Sequence, residues 1–341
     1  MAHWRNRFPR VPDRSLWKDS QERGKFTINP TPYGLCRPKR REGNPLMYSH
    51  RLRPGLFPAV VTLLSLPAFA PPSPREGSAP TESRIPDRIV AIGDHHGDLA
   101  AARGALRLAG AIDWQDRWIG GDLVVVQTGD ILDRGDNEQE ILELFERLGK
   151  EARSRGGAVY TLNGNHELMN SYLDFRYVTE LGFRDFEKMG VVDPGDSVVA
   201  VLEPHEQYRG ALFRPGGPMA LKLAEHPTAL VIGPNVFVHG GILPFHAEMG
   251  LDSLNTQVQR WLRNEIPQPE WIRGDLSPIW TRVFSAQPDQ TACDTLDMVL
   301  TALGVERMVV GHTVQPTGIT AYCGGRVWCV DVGMAAHYRG R

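Results

Sequence analysis

Gly164-Asn165-His166-Glu167 is the stretch that decides the fold of this chain of 341 residues. It follows the apolar run Ala158–Leu162, which is typical of a short buried strand. A strand that ends in this tetrapeptide places an amide oxygen, an imidazole and a carboxylate at one edge of a sheet. Four residues alone are weak evidence, so the prediction depends on whether the pattern recurs.

Two earlier segments repeat this design. The apolar residues 88–92 lead into Gly93–Gly97 (GDHHG), and residues 123–128 lead into Gly129–Gly135 (GDILDRG). Each predicted strand therefore ends in a glycine followed by residue types that bind metal ions. Glycine suits these positions because the backbone must turn tightly there.

Five motifs in a fixed order carry a family resemblance. They are GD-x-HG, GD-x-x-DRG, GNHE, HGG with His239 and GH with His312. This set resembles the metallophosphoesterases and, among them, the phosphoprotein-phosphatase superfamily. The segments Glu167–Asn170 (ELMN) and Gly311–Gln315 (GHTVQ) narrow the resemblance to the Shewanella-like protein phosphatases. It spans residues 89–333, so it covers nearly all of the chain that is predicted to fold.

The order of elements predicts an α/β fold. Helical patterns over Leu99–Ala109, with Asp98 as N-cap, and over Asn137–Arg155 separate the three strands. Strands that alternate with helices pair in parallel and are buried, and their ligand sites lie beyond their carboxyl ends. The resemblance implies the calcineurin-like metallophosphoesterase fold, in which two packed mixed β-sheets are flanked by helices.

Residues 87–341 are predicted to form one catalytic domain. Residues 171–227 are punctuated by Gly and Pro, which predicts an irregular, partly helical insertion that covers the site and selects the substrate. The predicted later strands are 229–232, 236–238, 308–310 and 327–330, and the predicted later helices are 254–262 and 295–303.

The N-terminal part differs from the body in charge. Residues 1–70 carry 13 Lys and Arg against 4 Asp and Glu, whereas the remainder carries 25 against 36. An acidic body argues against a nucleic-acid binder. Residues 1–46 are rich in Arg and Pro without sustained periodicity, which predicts a disordered basic leader or misassigned upstream sequence.

A three-part pattern begins at Met47. A basic stretch, an apolar run and Ala68-Phe69-Ala70 predict a secretory signal peptide over residues 47–70, followed by a Pro-rich linker over 71–86. We therefore expect a periplasmic or secreted protein, with no stable membrane span because the run is shorter than about 20 residues. Pro71 disfavours cleavage before it. The alternatives are a cytoplasmic protein and an organellar transit peptide.

The cysteines show no paired C-x-x-C spacing, so they predict no zinc finger. Cleavage of the leader would leave Cys293, Cys323 and Cys329. Three cysteines cannot all pair within one chain, so at least one thiol would stay free or form a disulfide with another molecule. Export would allow one disulfide.

The resemblance implies a centre of two divalent metal ions, with Mn²⁺ expected and Fe or Zn as alternatives. Oxygen and imidazole ligands suit such ions, and a hydroxide shared by them would attack phosphorus in line. No cysteine joins the set, which argues against a structural zinc. The implied ligands are Asp94 and His96 for the first metal, Asp130 for both, and Asn165, His239 and His312 for the second.

The leaving group needs a proton donor. The resemblance assigns this role to His166, with Asp133 hydrogen-bonded to it so that the imidazole is protonated. Arg134 would grip phosphate oxygens through its guanidinium fork. A second arginine is usual in the family, and Arg282 is the first candidate. The alternatives are Arg176 and Arg214.

The predicted function is therefore that of a metal-dependent phosphoprotein phosphatase, which hydrolyses phosphomonoesters directly because no Cys or Ser sits at a nucleophile position. The preference for phosphotyrosine or for phosphoserine and phosphothreonine stays open, as does the oligomeric state. One alternative is a phosphoesterase of small molecules or dinucleoside polyphosphates. Another is a non-catalytic binding protein on the same fold. Such proteins usually lack one of the metal ligands or the proton donor.

Overall fold

The computed structural model describes residues 86–187, 189, 192–193 and 195–339. The predicted leader, the predicted signal peptide and all of the linker except Pro86 lie outside these residues. What was predicted for them stays a prediction. Among the described residues, no helix combines the length and the apolar character that crossing a membrane requires.

Two sheets contain the strands. The strands of the described residues are β1 (Ile89–Ile92), β2 (Val124–Gln127), β3 (Ala158–Thr161), β4 (Ala229–Ile232), β5 (Asn235–Val238), β6 (Arg307–Val310), β7 (Thr320–Tyr322) and β8 (Val327–Cys329). The first sheet has the order β1-β2-β3 and is parallel throughout. The second has the order β4-β5-β6-β8-β7, with parallel pairs in its middle and an antiparallel pair at each end. The predicted pair of sheets is confirmed, and only the second is mixed, because each link within the first crosses over through a helix.

Helices surround the sheets. They are α1 (Leu99–Leu108), α2 (Glu138–Arg153), α3 (Asn165–Ser171), α4 (Glu180–Asp185), α5 (Gln207–Phe213), α6 (Pro218–Leu223), α7 (Pro244–Met249), α8 (Leu251–Leu262) and α9 (Gln290–Leu303). The predicted helices match α1, α2, α8 and α9, and the Asp98 side chain caps α1 by accepting from the Ala101 N–H at 2.9 Å. Helices α3 and α7 and strand β7 were not predicted, because elements of three to seven residues are too short to show a period.

The two sheets pack face to face. Val124 and Val126 of β2 share an apolar cluster with Phe237 of β5 and Val309 of β6. All four residues of β2 are buried, as expected for a central strand covered on both faces. A second cluster packs α1 and α2 against the outer face of the first sheet, and a third packs α9 against the second sheet. The layers therefore run helix, sheet, sheet, helix.

The insertion is partly helical, as predicted, and carries α4, α5 and α6. It is joined to the main core, because Phe186, Phe213 and Leu223 are fully buried in the same cluster as α1 and α2. Each side chain of this size stabilises the fold by about 1.5–3 kcal/mol when buried. Helix α5 also packs against α3, which begins at Asn165. The insertion is thus held directly behind the motifs that follow the strands of the first sheet.

A disulfide links Cys293, near the start of α9, to Cys323, which follows β7. Cys329 is a buried free thiol in β8. The sequence left the disulfide state of these three cysteines open. The bridge ties the edge of the second sheet to the helix that covers it.

Candidate active site

Five strand ends bring the predicted ligands to one buried place. Asp94 follows β1, Asp130 follows β2, and Asn165 begins α3 directly after the β3 segment. His239 follows β5 and His312 follows β6, so both sheets contribute. None of the six predicted ligands, His96 included, is more than 8% exposed. The carboxyl edges of the parallel strands meet here, as the topology requires.

Asp130 is the centre of this group. Its Oδ2 lies 3.2 Å from His239 Nε2, 3.7 Å from His166 Nε2 and 3.9 Å from His96 Nε2. Three imidazoles from three different strand ends therefore converge on one carboxylate oxygen. This is the position that a ligand shared by two metal ions would occupy.

The remaining predicted ligands lie on either side of Asp130. His239 Nε2 is 3.0 Å from Asn165 Oδ1 and 3.2 Å from His312 Nδ1, and Asp94 Oδ2 is 3.9 Å from His96 Nε2. Two groups have ligand atoms within 4.8 Å of one another, and both contain Asp130. They are His96, Asp130 and His166, and Asp130, His239 and His312. The first group thus contains His166 in the place of Asp94, which was predicted to bind the first metal together with His96 and Asp130.

Backbone carbonyls fix the orientation of the three predicted histidine ligands. Each ring uses one nitrogen on a carbonyl oxygen and turns the other towards Asp130. An N–H bonded to a carbonyl leaves the opposite nitrogen as an unprotonated lone pair, which is how histidine ligands are held in metal sites. The pairs are His96 Nδ1 with Leu132 O at 3.1 Å, His239 Nδ1 with Thr128 O at 2.9 Å, and His312 Nε2 with Trp280 O at 3.0 Å.

The electrostatics of the group call for a cation. Burial raises the pKa of Asp94 well above its ordinary value, and the nearby Asp331 and Asp130 add to the rise. Burial and the neighbouring His166 lower the pKa of His96 well below its ordinary value. Buried carboxylates that repel one another beside neutral imidazoles are what a divalent ion would stabilise. The donor set of oxygen and nitrogen without sulfur fits such an ion.

Glu167 holds the loop that carries Asp130. Its carboxylate accepts hydrogen bonds from four backbone N–H groups, those of Gly164 at 2.7 Å, Asp130 at 2.8 Å, Ile131 at 2.8 Å and Leu132 at 3.1 Å. Asp130 has a positive φ of 59°, a conformation that needs support in a residue with a side chain. Glu167 supplies that support.

His166 and Asp133 form a buried pair. His166 Nδ1 lies 2.6 Å from Asp133 Oδ2, and its backbone N–H donates to Asp130 Oδ1 at 3.0 Å. Burial lowers the pKa of His166, but the charges of Asp130 and Asp133 and the hydrogen bond to Asp133 outweigh burial and raise it. The second nitrogen, Nε2, faces Asp130 Oδ2. The imidazole is thus aimed at the centre through Nε2, with Nδ1 held by Asp133.

Arg134 lies at the mouth of the site. Its Nη1 donates to His96 Nε2 at 3.0 Å and also hydrogen-bonds the Tyr338 hydroxyl. The guanidinium carbon lies 5.0 Å from the centroid of the Tyr177 ring. Sequence reasoning missed both tyrosines, since Tyr338 is 204 residues from Arg134 and neither stands in a motif. The two rings flank the predicted phosphate-binding group.

Comparison with known proteins identifies the family. Residues 87–316 match the family model described as calcineurin-like phosphoesterase. Over 300 residues the chain is 39% identical to Shewanella-like protein phosphatase 2 of Arabidopsis thaliana, across 78% of this chain and 77% of that protein. The chain belongs to the Shewanella-like protein phosphatases, within the calcineurin-like phosphoesterases. The predicted family and fold class are confirmed, and the protein is a hydrolase of phosphate esters.

Another protein named as a Shewanella-like phosphatase and one solved structure are also similar to this chain. This Shewanella-like phosphatase is 27% identical over 257 residues to Shewanella-like protein phosphatase 1 of Plasmodium berghei, across 73% of this chain and 67% of that protein. It matches the crystal structure of the cold-active protein-tyrosine phosphatase of a psychrophile Shewanella species with a TM-score of 0.58 and 26% identity, across 74% and 72% of the two chains. All the residues predicted for the chemistry are present, which disfavours the non-catalytic alternative.

Arg282 borders the centre of this phosphatase. It lies within electrostatic range of Asp130, Arg134 and Tyr338, and burial lowers its pKa. The carbonyl two residues earlier, that of Trp280, orients His312. Arg282 therefore lies near the group, and its role in binding phosphate stays a prediction.

The two alternative arginines are engaged elsewhere. Arg176 is exposed and pairs with Asp174 at 2.7 Å. Arg214 pairs with Asp196 at 2.5 Å within the insertion. Both are occupied by carboxylates of their own segment.

A buried group behind Asp133 was not predicted. Arg209 of α5 and Glu138 at the start of α2 are both fully buried and form an ion pair at 2.6 Å. Burial raises the pKa of Glu138 to about 7 against the opposing effect of Arg209. Asn170 of α3 completes the group by donating to Asp133 Oδ1 at 2.9 Å. Arg209 lies in a segment without a motif, so nothing in the sequence pointed to it.

Proposed function

We propose that this Shewanella-like phosphatase hydrolyses phosphomonoesters on proteins with a pair of divalent cations at the buried centre. The observation that carries the proposal is the approach of His96 and His239 to one oxygen of Asp130, with the proposed proton donor His166 beside them. A shared carboxylate with nitrogen donors on both sides suits two adjacent cations.

The proposed ligands divide into two sets that share Asp130. When bound, the two cations would supply an activated water at neutral pH and neutralise the charge of the phosphate. We propose Mn²⁺, with Fe or Zn as alternatives, because a mixed oxygen and nitrogen set admits each of them. The first set is Asp94, His96 and Asp130, and the second is Asp130, Asn165, His239 and His312.

The chain's own residues would bind the phosphate and move the proton. Arg134 offers a planar fork at the mouth of the site, and Arg282 offers a second positive charge beside it. His166 would donate the proton on Nε2 to the oxygen of the leaving group. Asp133 keeps Nδ1 occupied at 2.6 Å, so that only Nε2 is available for this transfer.

Phosphoproteins are the proposed substrates because the relatives are named as protein phosphatases. Phosphotyrosine is the first to test, since the similar solved structure is named as a protein-tyrosine phosphatase. The rings of Tyr177 and Tyr338 beside Arg134 also offer an aromatic surface to an aryl group.

The test measures phosphate release by the full chain from matched phosphotyrosine and phosphothreonine peptides and from a dinucleoside tetraphosphate. The protein is first treated with a chelator and then assayed with and without Mn²⁺. We expect release from a peptide only after Mn²⁺ is restored, and the ratio of the two peptides sets the specificity. Release from the dinucleotide alone would move the function to small phosphoesters. No release from any substrate with metal bound would contradict the proposal.

We also propose export through the predicted signal peptide over residues 47–70. The disulfide between Cys293 and Cys323 supports an oxidising compartment, because such bonds are reduced in the cytosol. N-terminal sequencing of the mature protein from fractionated cells tests this. A mature N-terminus at or shortly after Pro71 in the exported fraction is expected. An intact leader in the cytosolic fraction would contradict it.

A further inference from the structure

Arg209 is a fully buried arginine that no proposed catalytic step uses. All three guanidinium nitrogens donate hydrogen bonds. Nε donates to Asn170 Oδ1 at 2.6 Å, and Nη1 to Glu138 Oε2 at 2.6 Å and to the Gly182 carbonyl at 3.0 Å. Nη2 donates to Glu138 Oε1 at 3.1 Å and to Asp133 Oδ1 at 3.4 Å. Each nitrogen therefore has at least one oxygen acceptor.

Two aromatic rings contact the guanidinium group. The guanidinium carbon lies 5.2 Å from the Phe186 ring centroid and 4.9 Å from the Phe213 ring centroid. The two rings are nearly perpendicular and in contact with each other, so together they confine the guanidinium group. Because Arg209 and both rings belong to the insertion, the insertion supplies a rigid donor to the site.

The hydrogen-bond network ends on Asp133. Its Oδ1 accepts from Asn170 and Arg209, and its backbone N–H donates to Glu138 Oε1. Asp133 has a positive φ of 66°, so its backbone needs such support. With Oδ1 occupied, Oδ2 is left to His166 Nδ1. The network therefore decides which oxygen of Asp133 meets the imidazole and at what angle.

We propose that Arg209 and Glu138 are positioning residues for proton transfer, which hold Asp133 so that His166 presents Nε2 to the leaving oxygen. This inference rests on the proposed phosphatase function. It gives the insertion a part in the chemistry in addition to covering the site.

Stability alone is a weak reason for this ion pair. Burying a carboxylate and a guanidinium costs hydration free energy, and well-packed apolar residues often stabilise a fold as much or more. A methionine beside Phe186 and Phe213 would fill similar space without that cost. An apolar residue would not supply the hydrogen bond from Arg209 that positions Asp133.

The identity of the leaving group separates proton transfer from general damage. Phenyl phosphate releases a phenol with a pKa of about 10, like that of tyrosine, and therefore needs a proton donor. p-Nitrophenyl phosphate releases a far more stable anion and needs the donor less. A defect in proton transfer lowers kcat on the first substrate more than on the second, whereas lost metal or misfolding lowers both.

The experiment compares kcat and KM on these two substrates in the Mn²⁺-loaded full chain. The variants are Arg209→Met and Glu138→Gln, and Arg184→Met is the matched control because Arg184 makes an exposed ion pair in the same insertion. We expect kcat on phenyl phosphate to fall about 10–100-fold, kcat on p-nitrophenyl phosphate to fall several-fold less, and KM to change little. In a His166→Asn background, Arg209→Met should cause no further change in the ratio of the two kcat values.

An equal loss on both substrates, or a change in the ratio that persists without His166, would overturn the inference. If Arg209→Met does not fold, Glu138→Gln decides, because its amide keeps the size and an acceptor for the Asp133 N–H. An unchanged ratio in Glu138→Gln then overturns the inference and leaves the phosphatase function standing. A wild-type protein that hydrolyses neither substrate would refute the proposed function, and the inference with it.

Discussion

The metal half and the acid half of the site are built differently. In the metal half, short strand ends deliver His96, His239 and His312, and backbone carbonyls orient each ring. In the acid half, side chains orient side chains, and part of the support comes from the insertion through Arg209. The first construction depends on the sheet, which short motifs encode. The second depends on the packing of helices that are far apart in the chain.

Removing Asp130 would be the most severe way to break the metal half. Asp130→Asn should lose bound metal and lower turnover by more than about 10⁴-fold, since attack and charge neutralisation both depend on this carboxylate. Elemental analysis and phosphate release measure the two effects. Asp252→Asn, an exposed aspartate of α8 outside the site, is the control. A variant that keeps its metal content would contradict the shared-ligand assignment.

His166→Asn tests whether the two halves are separate. Turnover should fall by about 10²–10⁴-fold while metal content stays near that of the wild type, because only the proton donor is lost. The structure makes this a sharp test, since His166 Nε2 lies 3.7 Å from Asp130 Oδ2. Loss of metal in this variant would assign His166 to the metal half. Full activity would show that the acid assignment is wrong.

Arg134→Lys weakens substrate binding and leaves both halves in place. Lysine keeps the charge but loses the planar fork, so we expect kcat/KM to fall about 10–100-fold, mostly through KM. Steady-state kinetics on a phosphopeptide measures this. Arg282→Lys should cost less, because Arg282 lies at the border of the site. The opposite order would exchange the two predicted roles.

The disulfide offers the smallest expected effect on activity. Replacing Cys293 and Cys323 together by serine should lower the free energy of unfolding by about 2–4 kcal/mol. Below the unfolding transition kcat should not change, because the bridge ties α9 to the edge of the second sheet. Denaturant unfolding and kinetics on the same sample measure both quantities. A parallel fall in kcat would mean that this edge supports the metal half.

The metal half could be predicted almost completely from the sequence. Asp94, Asp130 and Asn165 stand in short motifs directly after apolar runs, and the alternation of strands and helices brings those strand ends together. The acid half could be predicted only in its first members, His166 and Asp133. Their supporting residue Arg209 lies 76 residues from Asp133 in a segment without periodicity or motif.

The sequence by itself therefore determined the order of the main strands and helices, the parallel first sheet, the candidate ligands and the family. These features depend on local patterns, because a strand end and its loop are encoded by adjacent residues. Only the tertiary structure decided that His166 stands as close to Asp130 as a ligand would, that Tyr338 reaches Arg134, and that Arg209 supports Asp133. Such contacts join distant parts of the chain through side-chain packing, which leaves no periodic signal in the residues that make them.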